Sequence, residues 1–440
     1  MIDPPLYRAL SWKLRMGASR TQIGDQPGVP LVPELSASRI PHTFRALRHR
    51  NFRLFLGGQI ISLVGTWMQN VAQSWLVYRL THSELLLGTA WFCSQIAVFA
   101  LGPLGGIAAD RFSRRKVVIV TQTLSMLQAF GLAALTLSDR VQVWHVLAFA
   151  GALGVINAFD MPGRQALVIE MTSKEDLINA ISLNSAVFNA ARVVGPAVAG
   201  IVLAYVGEGT CFLINGISFL AVIVCLAAMR LPPAQPKPHV PMLEHLVDGF
   251  RYAARHSAVR RVLALMAAAT LSGMPGLVLM PFFADGIFHR GSRGLGILMG
   301  AMGVGAVIGT LVLARRTRLS GLARVMTISG VTTGACYLLF AYSPSFYLSL
   351  AIMPVIGYSV MRQMASANTT IQTLIPDEYR GRIMALYAMT VVGLGPFGSL
   401  AAGALAGRFG PRSTMAAGGV LALSASLVFA WYLRRDPIAA

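Results

Sequence analysis

Apolar segments of about 20 residues recur along the whole chain, separated by short polar and basic stretches. This is the length that a helix needs to cross a bilayer. A segment within lipid must satisfy its own backbone hydrogen bonds, so the predicted elements are α-helices. The pattern predicts twelve spans, near 54–78, 85–109, 117–137, 144–166, 179–206, 211–229, 262–284, 294–314, 323–342, 345–367, 382–406 and 413–433. We therefore expect an all-α polytopic protein embedded in the lipid bilayer.

The composition supports this prediction and excludes several function classes. Of the 440 residues, 55% are hydrophobic and only 12% are charged, whereas an ordinary globular domain has about 25% charged residues. The net charge of +20 comes from Lys and Arg clustered between apolar spans, so we expect no nucleic-acid partner. The four cysteines lie inside apolar spans without metal-ligand spacing. We expect no metal, no cofactor, no catalytic residues and no enzymatic activity.

The basic residues also predict the orientation in the membrane. One set of loops holds 24 Lys and Arg residues and the opposite set holds 6. Positive charge accumulates on the cytoplasmic side. Both termini and the long central loop are therefore predicted to be cytoplasmic.

The spans group into two bundles around the central loop. We predict a disordered tail over 1–43, a six-helix bundle over 44–230, a cytoplasmic linker with an amphipathic helix over 231–260, a second six-helix bundle over 261–434 and a short tail over 435–440. An internal repeat supports this division, because a set of small residues recurs 203 positions later. The pairs are Gly195 and Gly398, Ala199 and Ala402, Gly200 and Gly403, and Gly207 and Gly410. A six-span unit used twice is typical of secondary transporters, and we expect a monomer.

The loop after the second span, "GGIAADRFSRRK", is the sharpest motif. It resembles the signature loop of the major facilitator superfamily, in which Gly-x3-Asp-Arg precedes a basic cluster. The matching positions are Gly106, Asp110, Arg111, Arg114 and Arg115. We expect Gly106 to allow two helices to approach, Asp110 to sit at a helix N-terminus and the arginines to pair with carboxylates of span 4. These contacts would hold the halves together when the cytoplasmic side closes, and the alternative is that the charges only orient the protein.

The stretch "NAARVVGPAVAG" resembles the span-5 signature of antiporters in the same superfamily, at Ala191, Gly195, Pro196, Ala199 and Gly200. Small residues allow close helix packing, and the proline is expected to break or kink the helix. The resemblance implies a role in export, and the alternative is small-residue packing alone.

Arg192 lies within this stretch, near the centre of span 5. A charge there costs at least ~2.5 kcal/mol, so the side chain should face a cavity or a partner. It is predicted to be an anion anchor or a gating residue, or alternatively a structural arginine that caps carbonyls near the kink.

Span 1 carries polar residues spaced 3, 4, 3 and 4 apart, which places them on one helix face. They are Gln59, Ser62, Thr66, Gln69 and Gln73. We favour the lining of an aqueous cavity, with aromatic contacts from Trp67 and Trp91. The alternative is hydrogen bonding between helices.

Two ionisable residues occupy similar places in spans 4 and 10, Asp160 and Arg362. They are predicted to pair across the two halves when the cytoplasmic side closes. The alternatives pair Asp160 with Arg164 one turn later, or with Arg114 in the signature loop. No carboxylate lies at a span centre. Proton coupling is therefore implied by the resemblance to the superfamily rather than by a central acid, and the candidate acids are Asp160 and Asp285.

Longer phrases, such as "GQIISLVGTWMQNVAQSWLVYRLTHS" and "IQTLIPDEYRGRIMALY", resemble one bacterial branch of the superfamily over nearly all of 44–430. That branch includes the enterobactin exporter, transmembrane secretion effectors and macrolide-efflux proteins. The resemblance implies a twelve-helix inner-membrane exporter that works by alternating access, with protons as coupling ions. Because Arg192 and Arg362 have no balancing acid at a span centre, we expect a small anionic, siderophore-like or drug-like amphipathic substrate. The alternatives are a proton-coupled importer and a non-transporting sensor or assembly factor.

Overall fold

The computed structural model describes residues 42–230, 242–315 and 321–436. Of the predicted tail over 1–43, residues 1–41 lie outside the described residues, as do 231–241 of the linker and the last four residues. A 3₁₀-helix, His42–Arg48, precedes the first long helix. The α-helices are α1 (Arg50–Thr81), α2 (Glu84–Arg111), α3 (Arg114–Leu137), α4 (Val143–Glu170), α5 (Leu177–Ala227), α6 (Met242–Arg255), α7 (Ser257–Val278), α8 (Gly291–Ala314), α9 (Leu322–Ala341), α10 (Phe346–Leu374), α11 (Asp377–Ala388), α12 (Leu394–Phe409) and α13 (Pro411–Arg435). Short π-helical turns follow α7 and α11, at Phe282–Ile287 and Met389–Gly393.

Within the described ranges, nine helices are long and apolar enough to cross a membrane. The nine include α5 as one helix and the continuous segment Asp377–Phe409 as another. Helices α1 and α10, with 32 and 29 residues, are outside this set. Both carry several amide and hydroxyl side chains. The described apolar segments are helices, as the sequence predicts. The polar side chains of α1 and α10 indicate that these two helices face other helices of the bundle rather than lipid.

A glycine with positive φ turns the chain between the last two predicted spans of each repeat. With 51 residues, a straight α5 would be about 75 Å long, more than twice the ~30 Å hydrocarbon core. The chain instead turns at Gly207, where φ is 80° and ψ is 179°. Gly410, which follows α12, has φ 85° and ψ 158°. These dihedral angles are essentially restricted to glycine. Glycine therefore recurs 203 residues later because the chain makes the same turn at both positions.

We call α1–α5 the N-terminal half and α7–α13 the C-terminal half. In the N-terminal half, α1 and α3 pack on α5, and α2 packs on α4. In the C-terminal half, α10 packs on α8 and α9, and α13 packs on α7 and α9. Two crossings join the halves, α5 with α8 and α2 with α12.

The hydrophobic core is shared at one end of the bundle and divided at the other. One core joins both halves and includes Leu76, Leu87, Phe283, Phe340 and Met415. The second contains only residues between 253 and 429, and the third only residues between 46 and 229. We call the shared end, where α1 ends, the distal end. The divided end, which carries the signature loop, is the basic end.

Helix α6 lies within the predicted linker. The side chains of 242–247 lie outside the described residues, and those after them pack on α11. Asp248 pairs with Arg382 at 3.1 Å, and the Tyr252 ring stacks on Tyr379 at a centroid distance of 4.5 Å. Ala253 is buried in the core of the C-terminal half. This part of the helix therefore contacts protein.

Candidate functional site

A cavity of about 360 Å³ lies between the two halves. Helices α1, α2 and α5 supply one wall, and α7, α8, α9, α10 and α13 supply the other. Its polar lining residues are Asn70, Ser74, Gln95, Thr270, Ser272, Thr333, Tyr337, Gln363 and Ser426. Three aromatic side chains line the N-terminal wall, Trp67, Trp91 and Phe188. Among the described residues that line the cavity, Arg192 alone is charged.

Arg192 is half-buried in this cavity, and its guanidinium contacts a thioether sulfur and an aromatic ring. Its Nη1 donates a hydrogen bond to Met361 Sδ at 3.4 Å, and its guanidinium lies 5.7 Å from the Trp67 ring centroid. Within the described residues, no carboxylate lies within 4.0 Å of it. A partly desolvated cation without a counterion is electrostatically costly, and an anionic ligand in the cavity offsets that cost.

Helix α5 continues through Pro196, so the expected break is wrong, and the expected kink stays a prediction. Helical dihedral angles continue through Pro196, and the non-helical residue of α5 is Gly207. Proline removes one backbone hydrogen bond, and close packing on both sides supports the helix here. Ala191 and Ala199 are buried, and a Cβ on Gly195 would lie 3.0 Å from the Val64 carbonyl oxygen of α1.

The same helix forms a close crossing with α8, which we call the glycine seam. It brings together Gly200 with Gly296, Ala197 with Gly300, and Val193 with Gly303. A Cβ on Gly200 would lie 2.8 Å from Gly296 Cα. The sequence analysis missed the α8 glycines, although their spacing of four and three in "GILMGAMG" is the small-residue signal for helix packing.

The repeat places a matching contact on the other side of the bundle. Gly403, the repeat equivalent of Gly200, packs against Gly88 of α2, and a Cβ on Gly403 would lie 3.1 Å from Gly88 Cα. Ser399 Oγ lies 3.3 Å from the Gly88 carbonyl oxygen. Both crossings between the halves therefore depend on small residues.

The polar stripe of α1 faces neighbouring helices of its own half. Gln69 Nε2 donates to Gln128 Oε1 at 3.0 Å, and Asn215 Nδ2 donates to Gln69 Oε1 at 2.7 Å. Gln59 accepts from Arg164 Nη1 at 3.1 Å. The other members also lie away from the cavity lining: Ser62 and Gln73 are buried, and Thr66 Oγ1 bonds the Ser62 carbonyl oxygen at 2.9 Å. This placement favours hydrogen bonding between helices, the alternative considered for the stripe.

The cavity face of α1 carries a different set of residues. Trp67, Asn70 and Ser74 line it, displaced around the helix from the polar stripe. The aromatic contribution of Trp67 and Trp91 agrees with the sequence analysis. A buried amide stripe that bonds other amides has the same sequence pattern as one that faces water.

Asp160 is buried in a polar cluster within the N-terminal half. Its Oδ2 lies 2.6 Å from Arg164 Nε, and its Oδ1 accepts from Thr121 Oγ1 at 2.7 Å and from Gln122 Nε2 at 2.9 Å. Arg362 donates instead to the Tyr358 hydroxyl at 2.9 Å. The structure therefore contains the local Asp160 pair, and the pair across the halves is not formed in this conformation.

The signature loop makes its contacts inside the N-terminal half. Arg114 Nη1 lies 2.6 Å from Glu170 Oε1 at the end of α4, as expected for arginines facing span 4. It also lies 3.8 Å from Asp110, and Arg115 donates to the Ala227 carbonyl oxygen at 2.6 Å. Asp110 and Arg111 are exposed.

The glycine that brings two helices together in this region is Gly105 rather than Gly106. A Cβ on Gly105 would lie 3.0 Å from Phe159 Cα of α4, whereas one on Gly106 would meet nothing within 4 Å. The expectation for Gly106 is therefore wrong in this conformation, because Gly106 points away from the α2–α4 contact.

A second charged cluster at the basic end was missed. Asp176, at the start of α5, lies 2.7 Å from Arg48, 2.9 Å from His49 and 3.5 Å from Arg45. Burial alone would raise the pKa of Asp176, but the hydrogen bond from His49 and the charges of Arg48 and Arg45 outweigh it, so the pKa is lowered. The sequence analysis counted these basic residues only as determinants of orientation.

At the distal end, a side-chain hydrogen bond joins the halves, in addition to the one from Ser399 Oγ to the Gly88 carbonyl oxygen. The Tyr78 hydroxyl donates to Asp285 Oδ2 at 2.9 Å, and the Tyr78 ring packs edge-on against Phe282 at 4.8 Å. Asp285 lies in the π-helical turn after α7. The distal end is thus closed by apolar packing, by glycine contacts and by this bond.

The known proteins that this chain resembles in sequence include transporters and exporters. The staphyloferrin A transporter of Staphylococcus aureus is 25% identical over 388 residues, which is 87% of this chain and 96% of that protein. The multidrug efflux pump Tap of Mycolicibacterium fortuitum is 26% identical over 376 residues, 83% and 91% of the two chains. The enterobactin exporter EntS of Shigella boydii is 24% identical over 372 residues, 84% and 89% of the two chains.

The fold is also that of solved transporters. A bacterial homologue of the human lysosomal transporter Spinster, in an inward-facing and occupied conformation, superposes with a TM-score of 0.69 at 12% identity over 89% of this chain and 97% of that chain. The family model described as transmembrane secretion effector matches residues 42–436. The chain therefore belongs to the transmembrane secretion effector family of the major facilitator superfamily and is a multi-pass membrane protein.

Proposed function

We propose that this protein is a secondary exporter of small anionic molecules across the bacterial cytoplasmic membrane. The observation that carries the proposal is Arg192, a cation with no carboxylate partner among the described residues, in a cavity between two halves. An anion that enters the cavity gains a charge-assisted hydrogen bond that the protein itself does not satisfy. The names of the relatives, two siderophore transporters and a drug efflux pump, agree with export of a small molecule.

The proposed topology has twelve spans and cytoplasmic termini. The two arms of α5, 177–206 and 208–227, count as two spans, and α1 and α10 complete the set. The excess of Lys and Arg puts the basic end in the cytoplasm. With its distal end closed and its core divided at the basic end, the structure then corresponds to an inward-facing state.

We propose that the protein works by alternating access, with this arrangement as one of its two states. To open outward, the protein separates the glycine seam, the Gly88–Gly403 contact and the Tyr78–Asp285 bond. To close inward, it brings the signature loop toward the basic residues of the C-terminal half. We propose that a proton exchanges for the substrate, with Asp160 and Asp285 as the candidate acids, and that one chain suffices for transport.

The test measures efflux from energised cells that lack their own exporters. Cells are loaded with matched fluorescent anionic, neutral and cationic compounds, and Arg192→Gln is compared with Arg362→Gln as the control. Arg362 is a second intramembrane arginine that does not line the cavity. We expect Arg192→Gln to lose anion efflux selectively at normal membrane levels, and Arg362→Gln to keep the wild-type ratio of anion efflux to neutral and cation efflux.

Other outcomes decide between the alternatives. Substrate accumulation in energised cells would establish an importer, and no substrate-dependent flux in either direction would indicate a sensor or assembly factor. Equal loss of all substrates in Arg192→Gln would assign the residue to gating or packing. Coupling is tested in inside-out vesicles, where adding substrate should release protons from the lumen, and unchanged transport after the proton gradient is dissipated would refute antiport.

A further inference from the structure

We infer that the cavity binds amphiphiles in one orientation, with the anionic group at the N-terminal wall and the apolar body against methionines of the C-terminal wall. This inference rests on the proposed export function and divides its specificity between the two halves. The charged group of the substrate is selected by Arg192, and the size of its apolar body is selected by Met299 and Met302. The two properties should therefore change independently.

Among the described lining residues, the N-terminal wall carries the charged side chain, Arg192, and the three aromatic rings without a hydroxyl, Trp67, Trp91 and Phe188. Arg192 lies over Trp67, and the buried indole Nε1–H of Trp91 has no hydrogen-bond partner among the described residues. Tryptophan normally finds an acceptor for this group when it is buried. A guanidinium on this wall favours a ligand group rich in acceptor atoms, such as a carboxylate.

The C-terminal wall has adaptable, apolar chemistry. All five methionines that line the cavity belong to this half, Met266, Met274, Met299, Met302 and Met364. Unbranched thioether side chains repack around ligands of different shape.

Two hydroxyls of this wall are used internally. Ser272 Oγ donates to the Ala269 carbonyl oxygen at 3.0 Å, and Ser426 Oγ donates to the Ala422 carbonyl oxygen at 2.7 Å. Thr270, Thr333, Tyr337 and Gln363 are further neutral polar residues of this wall, and the buried Thr333 hydroxyl has no partner among the described residues. Among the described lining residues, the charged donor, Arg192, thus lies on the N-terminal wall, and the flexible methionine surface lies on the other.

Met299 and Met302 are the positions that test the division. Both lie on α8 and are partly exposed to the cavity. They flank Gly300 of the glycine seam, so they stand where α8 meets the α5 helix that carries Arg192. An apolar tail that extends from a carboxylate on Arg192 across the cavity meets this surface.

The experiment measures binding of 4-ethyl-, 4-butyl- and 4-hexylbenzoate, and of the matching benzyl alcohols, to the purified full chain in nanodiscs. Calorimetry with empty nanodiscs corrects for partitioning into lipid. For wild type we expect affinity to rise up to about fourfold per added methylene, the factor that full burial of a CH₂ gives. We also expect the benzoates to bind at least about tenfold more tightly than the alcohols, as for hydrogen bonds to a charged group.

The variants should separate the two effects. Arg192→Gln should abolish the preference for benzoates and keep the dependence on tail length. Met299→Ala/Met302→Ala should flatten the dependence on tail length to about twofold per methylene, because the tail then contacts less protein, and should keep the preference for benzoates. Met161→Ala, at an exposed position outside the cavity, should match wild type.

Several results would overturn the inference. A methionine variant with the wild-type dependence on tail length would refute it, and so would a joint loss of both properties in each variant. If wild type binds no benzoate while cells still export anions through Arg192, the two-wall inference fails and the proposed function stands. If binding and anion export are both absent, the proposed function fails as well.

Discussion

The glycine seam gives the sharpest prediction, because a single methyl group should shift the balance between the two conformations. In Gly296→Ala, the new Cβ would lie 2.8 Å from Gly200 N and 2.8 Å from the Pro196 carbonyl oxygen. Both atoms belong to the α5 backbone, which cannot move aside as the tip of a side chain can. The seam must therefore widen, and in the structure the closed seam accompanies the closed distal end.

The expected magnitude follows from the cost of overpacking. Inserting a methyl group into a well-packed contact costs about 1–3 kcal/mol, which changes a conformational equilibrium by about 5- to 150-fold. The assay is the distance distribution between spin labels at Asp139 and Tyr342, exposed residues in distal loops of opposite halves, after replacement of the four native cysteines. Gly296→Ala should add a population at longer distance, which represents the distal-open state.

The control is Gly300→Ala, one turn along the same helix. Its Cβ would have ordinary contacts, with Ala197 Cβ at 3.6 Å the nearest. Both variants gain the same helix propensity from Gly→Ala, so that effect cancels in the comparison. If the two variants give the same distance distribution, the seam does not control closure and the reasoning is wrong.

Three further predictions concern polar contacts. Arg164→Ala leaves the buried Asp160 carboxylate without its cation and should lower the free energy of unfolding by about 3–5 kcal/mol. Thermal or denaturant unfolding in detergent measures this change, and an unfolding transition like that of wild type would show that the Asp160–Arg164 ion pair does not stabilise the fold. Tyr78→Phe removes a hydrogen bond to a charged acceptor, worth about 1.5–3 kcal/mol, and should enrich the distal-open state in the spin-label assay, while Tyr347→Phe, at an exposed site, should not. The lowered pKa of Asp176 means that its contribution to stability is present above its ordinary value of 3.8 and is lost as the pH falls through the lower folded value. Protection of 45–49 from proteolysis should therefore disappear in that acid range, and Asp176→Asn should lack it at every pH; protection that does not depend on Asp176 would refute this.

The sequence predicted the parts of the fold that depend on solvent and lipid. Apolar segments became helices because a segment in lipid must satisfy its own backbone groups. The family resemblance is confirmed by the family match over 42–436. The cost of a charge near mid-membrane predicted that Arg192 faces a cavity or a partner, and Arg192 lines the cavity. The twelve-span count and the cytoplasmic termini stay predictions.

Tertiary contacts explain what the sequence could not predict. The Gln69 stripe has the period of a cavity lining, but Gln128 and Asn215 from other helices satisfy it. A proline was expected to break α5, yet the helix continues because its neighbours hold it on both sides. The sequence left Arg362, Arg164 and Arg114 open as partners of Asp160, and the fold pairs it with Arg164. The sequence pattern thus identifies which residues can form hydrogen bonds or ion pairs, and the packing of the helices decides with which residue each of them does so.

The turns at Gly207 and Gly410 have a mechanical consequence. Each joins two long helices through essentially one residue, so each pair behaves as a stiff V whose tip lies at the distal end. Motion of the seam-bearing arm of α5 is then transmitted to 208–227 with little slack, and α12 moves α13 in the same way. For anyone placing an epitope tag on the distal face, these tips are the wrong sites, and the turn between α3 and α4 is the right one.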